Sequence, residues 1–575
     1  MRTTNNCYFT LSDGTLTLGN GLFSRSFSGI SEAKAENVAP KSRSLPYYEV
    51  RAKKEDGSSL TGQMWVDLPT VRIVEGAETP LLVLAGEHWT LKSVKLNAFT
   101  DNRDVLVEEN FQSFFRKGLF GTAEGEIFFL EDPETEKAIL IISETPDWIR
   151  GKLSAPLDAY PNPTGVVRIR LENGGYPIVL GFCGRGECES LCRDYLRHAN
   201  NCKQLITMSN TWGDRNGRER ICEEFIRGEI KAAGEIGVDV MQIDDGWQAG
   251  NTIYPIQRGE RKNQIFYDKY WDLNTERFPQ GIRPLSDLAA EKGIKLGLWF
   301  APSSHDCFAK IERDKEALRI AYEKEGARFF KLDMYQAGDK AHTDKMLELL
   351  EYIYSLGDDV SVQMDVTRYE RLNYLCGREY GTIFVENRYT RGPHSYYPHR
   401  TLRNLWSISR YLPSSRFQFE LLNPDLYRDS YCDSDPFAPS LYGMDYLFAS
   451  VMLSNPLFWF ELQHLGEKRR GELAPLLSVW KAHRDIISDA DVKPVGEMPS
   501  GRSFTGFYLS AKSGERYLLL FREVTEEDTG IFKIPFGKAE TELLATNCDA
   551  TVKIDGGFAT ARFSAPRGYA FIKLV

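Results

Sequence analysis

The chain has 575 residues, more than one ordinary domain holds, so two to four domains are expected. A hydrophobic share of 42% and a charged share of 26% fit a globular protein, and a net charge of −10 argues against nucleic acid or an anionic membrane as partner. No run of about 18 apolar residues occurs, so no helical membrane span is expected.

The first residues, "MRTTNNCYFTLSDG", lack the apolar stretch of a signal peptide, and a cytoplasmic location is the expectation. Over residues 1–203, alternating runs such as "GTLTLGNG", "TPLLVLAG", "GEIFFLED" and "VVRIRLENGGYPIVLGF" are separated by Gly, Asn, Asp and Pro. This pattern predicts an N-terminal antiparallel β-sandwich. Near its end Cys183, Cys188 and Cys192 cluster in "CGRGECESLC". Their spacing is not that of paired C-x-x-C zinc motifs and no His stands nearby, so free thiols are expected there, with no metal and no cofactor.

Residues 204–490 change character. Eight apolar runs ("LITMSNTW", "VDVMQIDDGW", "IKLGLWF", "FFKLDMY", "VSVQMDV", "TIFVENR", "RFQFELLN" and "PLFWFELQ") alternate with helical patterns such as "RERICEEFIRGEIKAAGEIG" and "HTDKMLELLEYIYSLG". That count over that length predicts a (β/α)8 TIM barrel. Residues 491–575 return to strands, "SFTGFYLSAKSGERYLLLF" and "YAFIKLV", and predict a small C-terminal antiparallel β-domain.

The eight runs share one property: each begins apolar and turns polar at its C-terminal end. Asn210 and Trp212 end the first, and Asp244, Asp245 and Trp247 the second. Trp299 ends the third, Lys331 and Asp333 the fourth, and Asp365 the fifth. Glu386, Asn387 and Arg388 end the sixth. Structural ion pairs would not select one end of eight separate strands, whereas barrel enzymes place their chemistry at that end. Many carboxylates with several rings, and neither a phosphate-binding loop nor a dinucleotide fingerprint, point to glycoside hydrolysis, which needs two carboxyl groups across the scissile bond. The expected partner is an oligosaccharide or glycoside. Aromatics at 12% agree with this, although packed β-domains use such rings as well. Trp212 and Trp299 serve either as platforms under a sugar face or as barrel core, and His305 in "APSSHDC" as a subsite contact or a surface loop residue. Arg388 and Arg391 would balance the acidic mouth.

"MQIDDGWQ", followed some 90 residues later by "FFKLDMYQ", resembles glycoside hydrolase family 36, the α-galactosidase and raffinose-synthase family related to family 27. The resemblance extends to "PLFWFELQHL" and to the three-part layout. It implies that Asp333 is the nucleophile of a retaining reaction, that Lys331 contacts a sugar hydroxyl, and that Asp244 and Asp245 hold further hydroxyls. The chain departs from the family in two places. Anchored on Arg371, "QMDVTRYERLNY" sets Asp365 where the family carries a Cys that reads the sugar near O2, and "TIFVENRYT" sets Asn387 where it carries its acid/base Asp. Neutral Asn cannot transfer a proton. Glu386, one residue earlier, is therefore the expected acid/base, with Asp433 and Asp435 of "YCDSDPF" as alternatives.

Overall fold

A computed structural model describes residues 8–19, 24–75, 81–85, 89–98, 105–113, 122–146, 148–154, 166–213, 218–250, 269–368, 370–385, 396–426 and 428–575. Eight parallel strands close into a barrel in chain order: β1 (Met208–Asn210), β2 (Val240–Ile243), β3 (Lys295–Phe300), β4 (Phe329–Leu332), β5 (Ser361–Asp365), β6 (Thr382–Val385), β7 (Phe417–Leu421) and β8 (Leu457–Phe458). Each lies inside one of the eight apolar runs. Such runs are continuous rather than alternating because both faces of the strand are covered, by the barrel interior on one side and by helices on the other. VMQI of β2, FFKL of β4 and TIFV of β6 are buried at every position. The helical patterns fold as Glu223–Ile236 and Lys340–Ser355. The second is started by Asp339, whose carboxylate accepts the His342 amide at 2.8 Å and so satisfies one of the free donors of the first turn.

Before the barrel lie antiparallel sheets of nine, four and three strands, whose shared core includes Leu18, Val50, Leu91, Phe128, Ile141 and Leu180. After it, a five-stranded and a three-stranded sheet enclose Leu518, Leu520, Phe532, Ala559 and Phe563. The sandwich, barrel and terminal β-domain read from the sequence are the layers observed. Among the described residues no helix is long and apolar enough to cross a membrane.

One element was not read from the sequence. The helix Cys188–Ala199 falls at the end of the stretch taken as β. It buries Leu191, Tyr195 and Leu196 and joins all three layers. Toward the sandwich, the Tyr195 hydroxyl donates to Glu144 at 2.8 Å, and His198 meets Asp67 at 2.9 Å. Toward the barrel, Asn200 just past its end donates to the carbonyls of Arg378 and Gly381. Toward the terminal domain, Arg193 binds Asp491 at 2.7 Å and also reaches the Arg410 carbonyl. Glu144 in turn accepts Arg378 and Arg72, each at 2.9 Å, so a sandwich carboxylate is closed by a barrel cation.

Burial alone would raise the carboxyl of Asp491, but Arg193 and then Arg197 hold it well below the usual range. A folded value below the unfolded one gives stability that is present above about pH 4 and is lost on further acidification. Asp491→Asn is expected to cost about 3 kcal/mol near neutrality, because it leaves buried Arg193 without its counter-charge. The resulting fall in Tm should shrink below about pH 4; a gap of unchanged size there would show that the pair does not carry this stability.

Candidate active site

The C-terminal ends of β2, β3, β4 and β5 bring the site together. Asp244 follows β2 and is buried, with Lys331 of β4 at 3.0 Å and the Asn210 amide donating at 2.8 Å from the end of β1. Lys331 is itself buried and lies over the rings of Trp459 and Phe384, 5.0 and 5.5 Å from their centroids. Burial works against its charge, but the carboxylates of Asp244, Asp333 and Asp365 outweigh that and hold it above the ordinary lysine value. The cation is permanent and cannot leave.

Asp245 faces a local turn. Gln248 donates to its carboxylate at 2.6 Å and accepts the Gly246 amide at 3.0 Å. Gly246 has φ +128°, and a Cβ there would stand 2.8 Å from Cβ of Arg218. The Gly of "DDGW" is thus required by the backbone, while the first Asp of the motif is aimed at Lys331.

Asp333 is the first residue beyond β4. Its Oδ1 accepts the Met334 amide at 2.6 Å and pairs with Arg371 Nη2 at 2.9 Å, and its Oδ2 accepts the Trp299 indole at 3.1 Å. Met334 takes φ +58°, a strained conformation for a side chain of this kind, costing on the order of 1–2 kcal/mol, at the turn that follows the carboxylate. Burial would raise the Asp333 carboxyl; Arg371 first and Lys331 second outweigh it and hold it below the usual carboxylate range. The side chain keeps 16% exposure, so it is anchored yet reachable.

Lys331 lowers the Asp333 carboxyl but is not its nearer cation. Lys331 spends its direct contact on Asp244, and Arg371, 38 positions along the chain, supplies the near cation. The same guanidinium binds Asp365 Oδ1 at 2.6 Å through Nη1. That oxygen also accepts the Thr367 amide at 3.1 Å and its hydroxyl at 2.8 Å. Burial, and then the charge of Asp333, push the Asp365 carboxyl upward. Two carboxylates on neighbouring strands therefore share one arginine and are driven in opposite directions. Arg371 served only as an alignment anchor in the sequence, and its role was hidden because barrel closure, not chain proximity, sets the contact.

The segment carrying Arg371 is tied down outside the barrel. Asn373 donates to the Thr145 carbonyl at 2.6 Å and the Tyr374 hydroxyl to the Asn97 carbonyl at 2.8 Å, both on the sandwich.

The tryptophans divide between wall and support. Trp247 is buried and donates to the Trp299 carbonyl at 2.8 Å. Trp299 is 2% exposed, so its described contact with the site is the indole N–H on Asp333. Trp212 is half-buried at the end of β1 and packs with the cluster around Phe384 and Trp459. His305 pairs with Asp306 at 2.8 Å in a loop whose residues Asp306, Cys307 and Phe308 all have positive φ. Asp433 is exposed on the loop after β7. Asp435 on the same loop accepts the Tyr397 hydroxyl and the Phe437 amide, each at 2.9 Å. Glu386, Asn387, Arg388 and Arg391 lie outside the described residues. No group of three or more metal-ligating side chains occurs among the described residues.

No protein-family model matches the chain. Over 80 residues it is 28% identical to the α-galactosidase Mel36A of Lactobacillus acidophilus, a match covering 14% of this chain and only 10% of that protein. In three dimensions the likeness is far broader. The family 36 α-galactosidase AgaA of Geobacillus stearothermophilus superposes with a TM-score of 0.64 at 12% identity, over 95% of this chain and 87% of that one. The α-galactosidase of Lactobacillus brevis superposes with a TM-score of 0.66 at 9% identity, over 100% of this chain and 99% of that one. The resemblance to glycoside hydrolase family 36 read from the two motifs thus holds for the fold of the whole chain.

Proposed function

We propose that the protein is a glycoside hydrolase acting on α-galactosides or closely related α-glycosides by a retaining double displacement. The observation that carries this reading is Asp333: an anchored carboxylate at the C-terminal mouth of a closed barrel, held ionised by Arg371 and Lys331 yet partly exposed. A nucleophile needs that combination, since it must stay deprotonated in a site dry enough to favour a cationic sugar. Asp333 attacks the anomeric carbon and forms the glycosyl-enzyme. Lys331, Asp244 and Asp245 bind hydroxyls, and the neighbouring rings offer apolar walls to the sugar faces. The relatives support the substrate class: variants of AgaA bind stachyose and raffinose, both oligosaccharides. A glycosyl transferase of the same chemistry differs only in the acceptor that resolves the intermediate.

Glu386 is the proposed acid/base, with Asp433 and Asp435 as the alternatives. Because Asn387 holds the place where the family carries its acid, a second reading is a carbohydrate-binding protein without turnover. An aryl α-galactoside separates the two, because its leaving group needs little protonation. A catalyst lacking only the acid releases a burst of phenol, and a pure binding protein releases none.

Five outcomes follow from these roles. Asp333→Ala should abolish turnover in a protein that still folds; undiminished turnover would discard the mechanism. Asp244→Asn or Asp245→Asn should lose about 1–3 kcal/mol in kcat/KM, the range for a charged hydrogen bond, and kinetics equal to wild type would remove them from the sugar site. Asp333 must be ionised to act and its folded value is depressed, so activity should persist below about pH 4 until that group protonates. Arg371→Gln should shift the acid limb of the kcat/KM profile to higher pH, and an unmoved limb would show that the guanidinium does not hold the charge. Finally, Glu386→Gln should slow natural substrates strongly and aryl glycosides much less, with azide partly restoring the latter. Equal losses on both would move the acid/base role to Asp433 or Asp435.

A further inference from the structure

Cys183 lies in the last strand of the nine-stranded sheet (Ile178–Gly184), and Cys188 is the first residue of the helix Cys188–Ala199. A turn through Gly186, φ +80°, folds the chain back and leaves the two sulfurs 3.4 Å apart, against about 2.05 Å in a disulfide. Both thiols are free; Cys188 is 2% exposed and Cys183 is half-buried. The pair lies at the junction of the sandwich strand and the helix, apart from the barrel site.

We propose that Cys183 and Cys188 form a thiol–disulfide exchange site, which accepts a low-molecular-weight disulfide at the half-buried Cys183 thiol and closes into an intramolecular disulfide. The Cys183 thiolate attacks one sulfur of the incoming disulfide and expels the first thiolate, which takes up the proton that Cys183 has lost. The Cys188 sulfur, on giving up its proton, then attacks the sulfur of Cys183 and expels the second thiolate. Two protein thiols lose two electrons and two protons, and the external disulfide becomes two thiols. The order follows from burial: the hydrogen bond to Cys183 and desolvation hold the Cys188 thiol well above its usual range, so it resolves rather than enters. The new bond would tie the sandwich covalently to the helix that joins all three layers.

The native protein is incubated with oxidised glutathione, alkylated and digested with trypsin, which cuts at Arg185 between the two cysteines. A joined peptide lighter by two hydrogens than its reduced halves supports the site. In Cys188→Ser the resolving thiol is gone, and a stable glutathione adduct on Cys183 is expected. Exposed Cys432 serves as the control for reagent reaching thiols. Glutathionylated Cys432 with neither a joined peptide in the native protein nor an adduct on Cys183 in the variant would overturn the proposal.

Discussion

The site rests on keeping a carboxylate charged where water is scarce. Moving a carboxylate out of water is costly unless cations or hydrogen bonds replace the lost hydration. Asp333 receives four replacements: a guanidinium, a more distant ammonium, an indole N–H and the Met334 amide. Lys331 and Met334 come from its own stretch of chain, whereas Trp299 and Arg371 are distant in sequence and closure of the barrel brings them in. Strand order and the buried lysine serve one electrostatic requirement.

That requirement also accounts for the opposite drift of two neighbouring acids. Arg371 and Lys331 act on both Asp333 and Asp365, but burial and the charge of Asp333 outweigh them at Asp365. Asp333 also accepts the Trp299 indole and the Met334 amide, and Asp365 the two donors of Thr367. Pairs of acids whose surroundings separate their proton affinities are the usual means by which one site holds an ionised and a protonatable group together.

The barrel was legible because its strands are sealed on both faces and therefore read as unbroken apolar runs, and because polar residues gather at one end of each. Asp333 and Asp244 were legible as motifs in context. Arg371 was legible only as an alignment anchor: 38 residues separate it from Asp333, so nothing in "TRYERLNY" showed which carboxylate it would hold. The helix Cys188–Ala199 was overlooked for a different reason. Its charges are spent on contacts between layers, so an apolar stripe is mixed with buried arginines and a histidine. Trp299 was seen as a ring, yet its described contact with Asp333 is through the polar edge.

The anchoring of Asn373 and Tyr374 on sandwich carbonyls bears on how such a chain can be divided. The cation beside Asp333 hangs from a loop whose far end is pinned by another domain. The sandwich is therefore not a detachable passenger. A barrel excised along its strand boundaries would keep every carboxylate of the mouth and lose the pins that aim their shared counter-ion. Modularity in this architecture ends where the loops begin, so the smallest transplantable unit is the barrel together with the sheets that grip it.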